Sequence, residues 1–206
     1  MSKVKLNLIA AACENMGIGA NGALPWRLKK EMAYFTTMTT NVTDPSKVNA
    51  VIMGRRTWDC IPDKYRPLDN RVNIVLTHHV DSVKENVSIG LIRNNIFPSD
   101  YLHGASGLCK GVIVVPGLDE AISYIDNRQD IEATWVIGGS SIYKAAMSHP
   151  NCGKIYLTEI QKSFDCDTFF PDIDKQQFHL VNEEDIPGEK QVEDDISYYF
   201  RVYNRL

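Results

Sequence analysis

The sequence predicts a three-layer α/β fold, in which a central mixed, mostly parallel sheet is flanked by helices and followed by an antiparallel C-terminal hairpin. Two observations predict it. Short strand-like runs alternate with helical patterns along most of the chain. Several of these runs are apolar throughout, as in strands buried on both faces. An alternation of this kind indicates a sheet covered by helices.

The elements follow in order along the chain. Strands are predicted at residues 6–13, 50–53, 72–76, 112–115, 134–137 and 155–160, and helices at residues 28–38, 56–60, 118–126 and 141–148. The tail differs, because runs at 178–185 and 196–203 are joined by a polar turn around Pro187-Gly188. This arrangement predicts an antiparallel hairpin at a sheet edge. The polar, Asn-rich stretch 79–111 is interpreted as a long surface excursion.

Length and charge favour one domain. The chain has 206 residues and a formal net charge of −4, so we expect a single domain over residues 1–206 with a surface insertion at about 79–113. Mild acidity without a Lys/Arg stripe argues against a general nucleic-acid binder. No apolar run approaches the roughly 20 residues of a membrane-spanning helix. The N-terminal run 6–13 is short for a signal peptide, and a buried first strand explains it better.

The five cysteines lie far apart in the sequence. None has the close spacing of a zinc knuckle or a redox CxxC motif. We interpret them as reduced thiols of a cytoplasmic protein, and we expect no bound metal.

Residues 17–22 read Gly-Ile-Gly-Ala-Asn-Gly and follow a predicted strand, which matches the G-x-G-x-x-G pattern of Rossmann domains. That pattern requires a helix to begin at the glycines. Here Leu24-Pro25-Trp26 follows at once, and the residue before a proline is disfavoured in helical conformation. We therefore favour a mobile active-site loop, with the Rossmann helix as the alternative.

Two other turns are predicted to bind anions. One strand ends at Gly54 and is followed by Arg55-Arg56-Thr57, so that free N–H groups and guanidinium charges converge at a helix start. Another strand ends at Gly138-Gly139, where a diphosphate could approach the backbone and a serine could cap the next helix. The alternative for Arg55-Arg56 is a solvated surface pair, and the alternative for Gly138-Gly139 is an ordinary tight turn. Two such turns favour a ligand with separated phosphates, such as NADPH.

One carboxylate stands on an apolar helix face. Leu28, Met32 and Phe35 form the predicted inward stripe, and Glu31 lies on it at i+3. A buried carboxylate without a partner costs several kcal/mol or takes up a proton. Glu31 would then bind a cationic or amidine-like ligand edge and assist proton transfer. The alternative places Glu31 at the margin of the stripe, reaching water or Lys30.

The chain resembles the dihydrofolate reductase family, of the eukaryotic type, over nearly its whole length apart from about residues 79–113. The motifs that carry the resemblance occur in the family's order: Asn15-Met16-Gly17-Ile18-Gly19 with Leu24-Pro25-Trp26, Glu31 with Tyr34-Phe35, Val51-Ile52-Met53-Gly54 with Thr57-Trp58, Ile61-Pro62 with Arg66-Pro67-Leu68, Arg71-Val72-Asn73, Val136 to Tyr143, and Thr168 to Asp174. The resemblance implies a dihydrofolate reductase-like fold. It also implies NADPH-dependent reduction of 7,8-dihydrofolate to 5,6,7,8-tetrahydrofolate, in support of one-carbon metabolism and thymidylate synthesis.

The resemblance implies roles for individual residues. Glu31 matches the acid that binds the pterin and promotes its protonation. Thr158 matches the threonine behind that carboxylate, and Trp26 matches the tryptophan that helps hold an ordered water. Arg71 matches the arginine that pairs with the substrate's α-carboxylate. The other implied substrate contacts are Ile9 and Ile137 through backbone carbonyls, Phe35 and Ile61 as walls, and Ala11 and Tyr143.

Cofactor contacts are implied in the same way, with residues 17–23 as a mobile loop and a cis peptide between Gly138 and Gly139. The implied contacts are Ala11, Ile18, Gly22, Gly54, Arg55, Arg56, Thr57, Leu76, Thr77, His78, Gly138, Gly139, Ser140, Ser141 and Ile142. Two departures weaken the case for a 2′-phosphate site. Thr77-His78 stands where the family often has Ser/Thr-Arg. Pro116-Gly117 replaces a second arginine, unless Arg93 reaches in from the insertion.

Two alternatives remain open. One is a pyrimidine reductase of the riboflavin pathway, against which Glu31 and Arg71 argue. The other is an inactive relative that binds folate or dinucleotide. For the enzyme we expect dihydrofolate and 4-amino antifolates as ligands, no membrane partner, and a monomer.

Overall fold

The structure, a computed structural model, describes residues 3–79, 88–91 and 111–206. The chain divides into two units. The first comprises residues 1–5 and 39–135, and the second comprises residues 6–38 and 136–206. Helix α1 (Lys29–Thr40) and strand β7 (Ile131–Gly138) each contribute residues to both units.

The described part of the first unit is built on parallel strands. In sheet order these are β3 (Val48–Gly54), β4 (Arg71–Leu76), β6 (Gly111–Val115) and β5 (Ser88–Leu91). Its other elements are α2 (Arg55–Cys60), a 3₁₀ turn (Asp63–Tyr65) and α3 (Leu118–Asp126). All six residues of β4 are buried, which is why its second half, residues 74–76, is apolar without alternation.

The second unit combines parallel and antiparallel pairing. Strand β1 (Leu6–Ala12) lies parallel to β8 (Cys152–Ile160), and β12 (Ile196–Arg205) lies antiparallel to β8. Both β10 (Phe178–Val181) and β11 (Gln191–Glu193) pair with β12. Two short strands, β2 (Gly17–Gly19) and β9 (Thr168–Phe169), form a separate pair, and α4 covers Ser140–Ser148.

The core of the second unit fixes the start of α1. Alternate residues of β12 are buried, among them Tyr198 and Phe200, as expected for a strand with one face towards a core. They pack with Trp26, Leu28 and Ile160 in one apolar cluster. Because this cluster contains the two core residues just before α1, it fixes the point at which the helix begins.

The predicted fold class is confirmed. The protein is α/β, with a mixed, mostly parallel sheet, helices, and antiparallel strands at the C-terminus. The bounds of α3 match the prediction, and α1, α2 and α4 differ from it by one or two residues. No helix in the described ranges is long and apolar enough to cross a membrane.

The C-terminal hairpin is confirmed as an antiparallel pair, but its predicted turn is wrong. Strand β10 ends at Val181 instead of continuing to residue 185, and Pro187-Gly188 lies in the connection to β11. The tight turn is Asp194-Asp195, with φ of 47° and 61°, and it joins β11 to β12. Two-residue hairpin turns require positive φ, which aspartate tolerates better than most residues.

Most of the predicted insertion at 79–113 lies outside the described residues. Within it the structure describes His79, β5 and the first residues of β6. The insertion and the single-domain organisation therefore stay predictions.

Candidate active site

Glu31 is a buried carboxyl group in the first turn of α1. Its side chain is 6% exposed, and its Oε1 accepts a hydrogen bond from the Thr158 hydroxyl at 3.1 Å. Burial raises the pKa of Glu31 to about 7, against the lowering effect of the Thr158 hydrogen bond and with a contribution from the charge of Glu193. A group with this pKa is present both as acid and as carboxylate near neutral pH, so it can hold and deliver a proton.

The alternative that placed Glu31 at the margin of the helix stripe is wrong, and so is one member of the predicted stripe. Leu28 is buried and Phe35 is half-buried, but Met32 is 46% exposed. The buried face of α1 therefore runs through Glu31 and not through Met32. Both residues lie within a turn of Leu28, and helical spacing alone does not separate them.

Thr158 is placed by the sheet of the second unit. It lies on β8 opposite Ala11 of β1 and Phe200 of β12, and it is fully buried. The central position of β8 leaves its hydroxyl no access to solvent, so its hydrogen bond to Glu31 satisfies a buried donor.

Two buried polar groups of the second unit have a bearing on ligand binding. Trp26 is 6% exposed, and its Nε1 has no hydrogen-bond partner in the described part of the chain. Tyr143 on α4 donates a hydrogen bond at 2.7 Å to the carbonyl oxygen of Ile9 on β1. A carbonyl has two lone pairs, so the Ile9 oxygen can still accept from a ligand amine.

The glycine-rich segment after β1 forms a strand and a turn. Gly17 and Ile18 belong to β2, and the turn that follows has φ of 52° at Asn21 and 75° at Gly22. Asp167 accepts a hydrogen bond from the Asn21 N–H at 2.7 Å. No helix begins between residues 3 and 28, so the Rossmann alternative is wrong.

Helix α4 starts with exposed backbone donors. The peptide between Gly138 and Gly139 is cis, as the resemblance implies. The N-cap is Gly139 and no side chain caps the helix, so the predicted serine cap is wrong. Ser140 is already helical, and its hydroxyl is bonded to the Phe169 carbonyl and accepts from the Phe169 N–H at 3.2 Å. The N–H groups of Ser140 and Ser141 in the first turn of α4 can therefore bind an anion, whereas the Ile142 N–H donates to the Gly139 carbonyl at 2.9 Å. Ile137 precedes them on β7.

The first unit brings a second set of predicted residues together. Gly54 ends β3 directly opposite Leu76, the last residue of β4. The start of α2, with Arg55, Arg56 and Thr57, therefore lies beside Thr77-His78 at the carboxyl ends of two parallel strands. Like α4, α2 begins at a glycine N-cap without a side-chain cap.

The arginines of this set differ in their surroundings. Arg55 forms an ion pair with Asp59 at 2.8 Å, whereas Arg56 is exposed. Ile61 is the half-buried C-cap residue of α2. Arg93 lies outside the described residues.

Arg71 is a buried cation at the other end of β4, about 16 Å along the strand from Leu76. It is 6% exposed, donates from Nε to the Asp69 carbonyl at 2.9 Å, and donates from one terminal nitrogen to the Thr39 hydroxyl at 2.8 Å. Burial lowers the pKa of its guanidinium, an effect that the charge of Asp69 opposes. Donors remain for a carboxylate, which a guanidinium binds in bidentate fashion.

Sequence reasoning missed the residues that act as partners. Thr39 holds Arg71, Asp167 holds the turn at Asn21, and Glu193 accepts hydrogen bonds from the start of α1. Each contact joins segments far apart in sequence. The short alternating run before Asp194-Asp195 could have indicated a hairpin there, but not its contact with α1.

The described residues contain no cluster of three or more His, Cys, Asp or Glu side chains that could hold a metal ion. No disulfide joins the four cysteines in the described ranges, namely Cys13, Cys60, Cys152 and Cys166. Cys109 lies outside them.

Comparison with known proteins gives one consistent result. The family model described as "Dihydrofolate reductase" matches residues 5–100 and 92–205. A dihydrofolate reductase from Heliothis virescens is 76% identical over 206 residues and is covered over 100% of both chains. One from Drosophila melanogaster is 37% identical over 202 residues, with 98% of each chain covered. Among solved structures, Schistosoma mansoni dihydrofolate reductase has a TM-score of 0.73 and 36% identity, covering 98% of this chain and 99% of that one.

Proposed function

Since the chain belongs to the dihydrofolate reductase family, we propose that it reduces 7,8-dihydrofolate to 5,6,7,8-tetrahydrofolate with NADPH and uses Glu31 as the acid. The observation that carries this assignment is the burial of Glu31, which raises its pKa to about 7 although the hydrogen bond from Thr158 lowers it. A carboxyl group with an ordinary pKa would be ionised at neutral pH and could not serve as a proton source.

Reduction of the pterin requires one hydride and one proton, the proton going to N5. Bound NADPH supplies the hydride. In this proposal Glu31 binds the 2-amino group and N3 of the pterin and promotes protonation of N5 through an ordered water. The partnerless Nε1 of buried Trp26 supports a role in holding that water, because a buried donor is normally satisfied. The Ile9 carbonyl would accept from the pterin edge, and we propose Ile137 for the same task.

We propose that Arg71 binds the α-carboxylate of dihydrofolate. Its guanidinium is buried, and its two hydrogen bonds go to a carbonyl and a hydroxyl, not to a carboxylate. A buried guanidinium is costly when its hydrogen bonds go to neutral groups. A carboxylate bound directly to the free donors of Arg71 would relieve that cost, in addition to the charge of nearby Asp69. Phe35, Ile61 and Ala11 are proposed as apolar contacts of the substrate, with Tyr143 as a polar one.

The starts of α2 and α4 can each bind an anion, because both helices begin at uncapped glycines. We propose that Gly54 to Thr57 and Gly138 to Ile142 hold the cofactor phosphates. Because Arg55 is paired with Asp59, the preference for NADPH over NADH would depend mainly on Arg56, with His78 beside it. Ala11, Ile18, Gly22, Leu76 and Thr77 complete the proposed cofactor contacts.

We further propose that the enzyme acts as a cytoplasmic monomer in one-carbon metabolism and thymidylate synthesis. The 4-amino antifolates are expected to inhibit it, because a protonated diaminopyrimidine forms paired hydrogen bonds with a buried carboxylate. The expected result is competition with dihydrofolate. Inhibition that is not competitive would contradict this mode of binding.

The test is the loss of NADPH absorbance with purified protein, with and without dihydrofolate, repeated with NADH. Dihydrofolate-dependent loss that is faster with NADPH is expected. A folded protein that binds both ligands without turnover would refute the proposal and leave the binding-protein alternative.

A further inference from the structure

The start of α1 is held by a carboxylate from a distant strand. Oε1 of Glu193 accepts a hydrogen bond from the backbone N–H of Lys29 at 2.6 Å, and Oε2 accepts one from Lys30 at 2.9 Å. Glu193 is the last residue of β11, whose pairing with β12 across the Asp194-Asp195 turn fixes its position. One side chain thus satisfies two N–H groups that the first helical turn leaves without helical partners.

Glu31 belongs to the same helical turn, so the electrostatics of the helix start act on it. A helix N-terminus carries a partial positive charge, which favours the ionised form of a carboxyl group in the first turn. The carboxylate of Glu193 places a negative charge at that helix end, and a like charge disfavours ionisation of a second carboxyl group. Glu193 therefore opposes the effect of the helix dipole on Glu31.

We propose that Glu193 is a positioning residue for the reduction, which fixes the helical turn that carries Glu31 and supplies the negative charge that opposes ionisation of Glu31. This inference rests on the proposed function, because it gives Glu193 a part in proton delivery. Glu193 acts through α1 and through the charge state of Glu31.

Within the described ranges, the other titratable groups that interact with the charge of Glu31 are tyrosines on three elements: Tyr34 on α1, Tyr143 on α4 and Tyr198 on β12. Burial raises the pKa of all three, with the charge of Glu31 as a smaller cause. They therefore remain neutral phenols under ordinary conditions. Glu193, unlike these tyrosines, is charged, and its charge adds to the effect of burial in raising the pKa of Glu31.

The direct test follows the Glu31 carboxyl in ligand-free protein by NMR of the carboxyl carbons, with its signal assigned by its loss in Glu31→Gln. Glu193→Gln removes the charge and keeps one acceptor oxygen, whereas Glu193→Asp keeps the charge. We expect the titration midpoint of Glu31 to fall by roughly 0.5 pH units in Glu193→Gln and to return towards wild type in Glu193→Asp. Glu184→Gln, which removes an exposed carboxylate, is the matched control and should leave the midpoint unchanged.

Turnover gives the second readout. Glu193→Gln is expected to lose about threefold in rate above the inflection of the pH profile and to stay near wild type well below it. Circular dichroism confirms that the variants keep their helix content.

Two results would overturn the proposal. One is a Glu31 titration midpoint in folded Glu193→Gln that equals that of wild type. The other is a loss of rate that is equal at all pH values and that occurs in both Glu193→Gln and Glu193→Asp. A different result would refute the proposed function: the Glu31 midpoint falls in Glu193→Gln, but the wild-type protein does not reduce dihydrofolate. The part of Glu193 in catalysis would then be refuted as well. The titration needs no substrate, so the two failures are distinguishable.

Discussion

At the scale of single residues, the buried charge of Arg71 gives the first unit a group that can bind an anionic ligand. The guanidinium is buried and held in place by the Thr39 hydroxyl and the Asp69 carbonyl. Asn49 fixes the chain around Thr39, since its side-chain amide donates to the carbonyls of Thr39 and Asn41 at 3.2 and 2.9 Å. A cation held in this way needs little reorganisation to bind a carboxylate.

Arg71→Leu is expected to weaken dihydrofolate binding far more than NADPH binding. The loss should be on the order of 100-fold, as is typical when one partner of a buried charged pair is removed. Titration of each ligand into the folded variant measures both constants. Arg71→Lys, which keeps the charge without the planar fork, should lie between the variant and wild type. Equal weakening of both ligands would contradict the assigned role.

Residue-scale prediction from sequence was right where a pattern was local and failed where a partner was distant. Glu31 could be singled out because its spacing from Leu28 and Phe35 placed it on an apolar face. Its neighbour Met32 was misplaced, because spacing along one helix does not show which flank of the stripe meets the core. Glu193 could not be found, since its hydrogen bonds to Lys29 and Lys30 join residues 164 and 163 positions apart and exist only in the folded chain.

At the scale of elements, the long strands and helices were predictable and the short strands were not. Strand β9 has two residues and β2 has three, too few for an alternation of apolar and polar residues to be recognised. They are nevertheless the elements that fix the turn at Asn21 and Gly22. The C-terminal turn was misassigned because Pro187-Gly188 is the stronger local turn signal, whereas the pairing of β11 with β12 selects Asp194-Asp195.

The β2–β9 pair requires glycine at residue 17. A Cβ there would overlap Cys166 Sγ and lie 2.6 Å from Cys166 Cβ. Gly17→Ala should therefore displace β2 and lower the free energy of unfolding by about 1–3 kcal/mol, the usual cost of overpacking. Urea unfolding measures the change.

The matched control for Gly17→Ala is Gly188→Ala, because a Cβ at Gly188 has no atom within 4 Å. Gly188→Ala should change the free energy of unfolding by no more than about 0.5 kcal/mol. The double variant Gly17→Ala/Cys166→Gly removes the overlap and should recover part of the loss. A single Gly17→Ala variant as stable as Gly188→Ala would contradict this packing.

At the scale of the whole molecule, Glu31 couples folding stability to pH. Its pKa is raised from the ordinary value of 4.5 to about 7, so the folded state binds this proton more tightly than the unfolded state does. The stability due to this group is therefore fully present below about 4.5 and is lost as pH rises through about 7. The proposed catalytic acid is thus a cost to stability at neutral pH.

Glu31→Gln is expected to remove that cost. At about pH 8 its free energy of unfolding should exceed that of wild type by up to about 3 kcal/mol, since each pKa unit corresponds to 1.36 kcal/mol. At about pH 4.5 the difference should largely vanish, because both side chains are then neutral. Urea unfolding of the ligand-free proteins at the two pH values measures the effect. A variant that is less stable at both pH values would contradict the linkage.

The role of Glu31 as the acid is tested by the pH profile of dihydrofolate-dependent NADPH oxidation, measured for wild type and for Glu31→Gln. Wild type should lose rate as pH rises through about 7, where Glu31 gives up its proton. The Gln variant should still bind NADPH, turn over at least about 100-fold more slowly at neutral pH, and lack that inflection. Near-normal turnover of Glu31→Gln with the wild-type profile would show that Glu31 is not the acid.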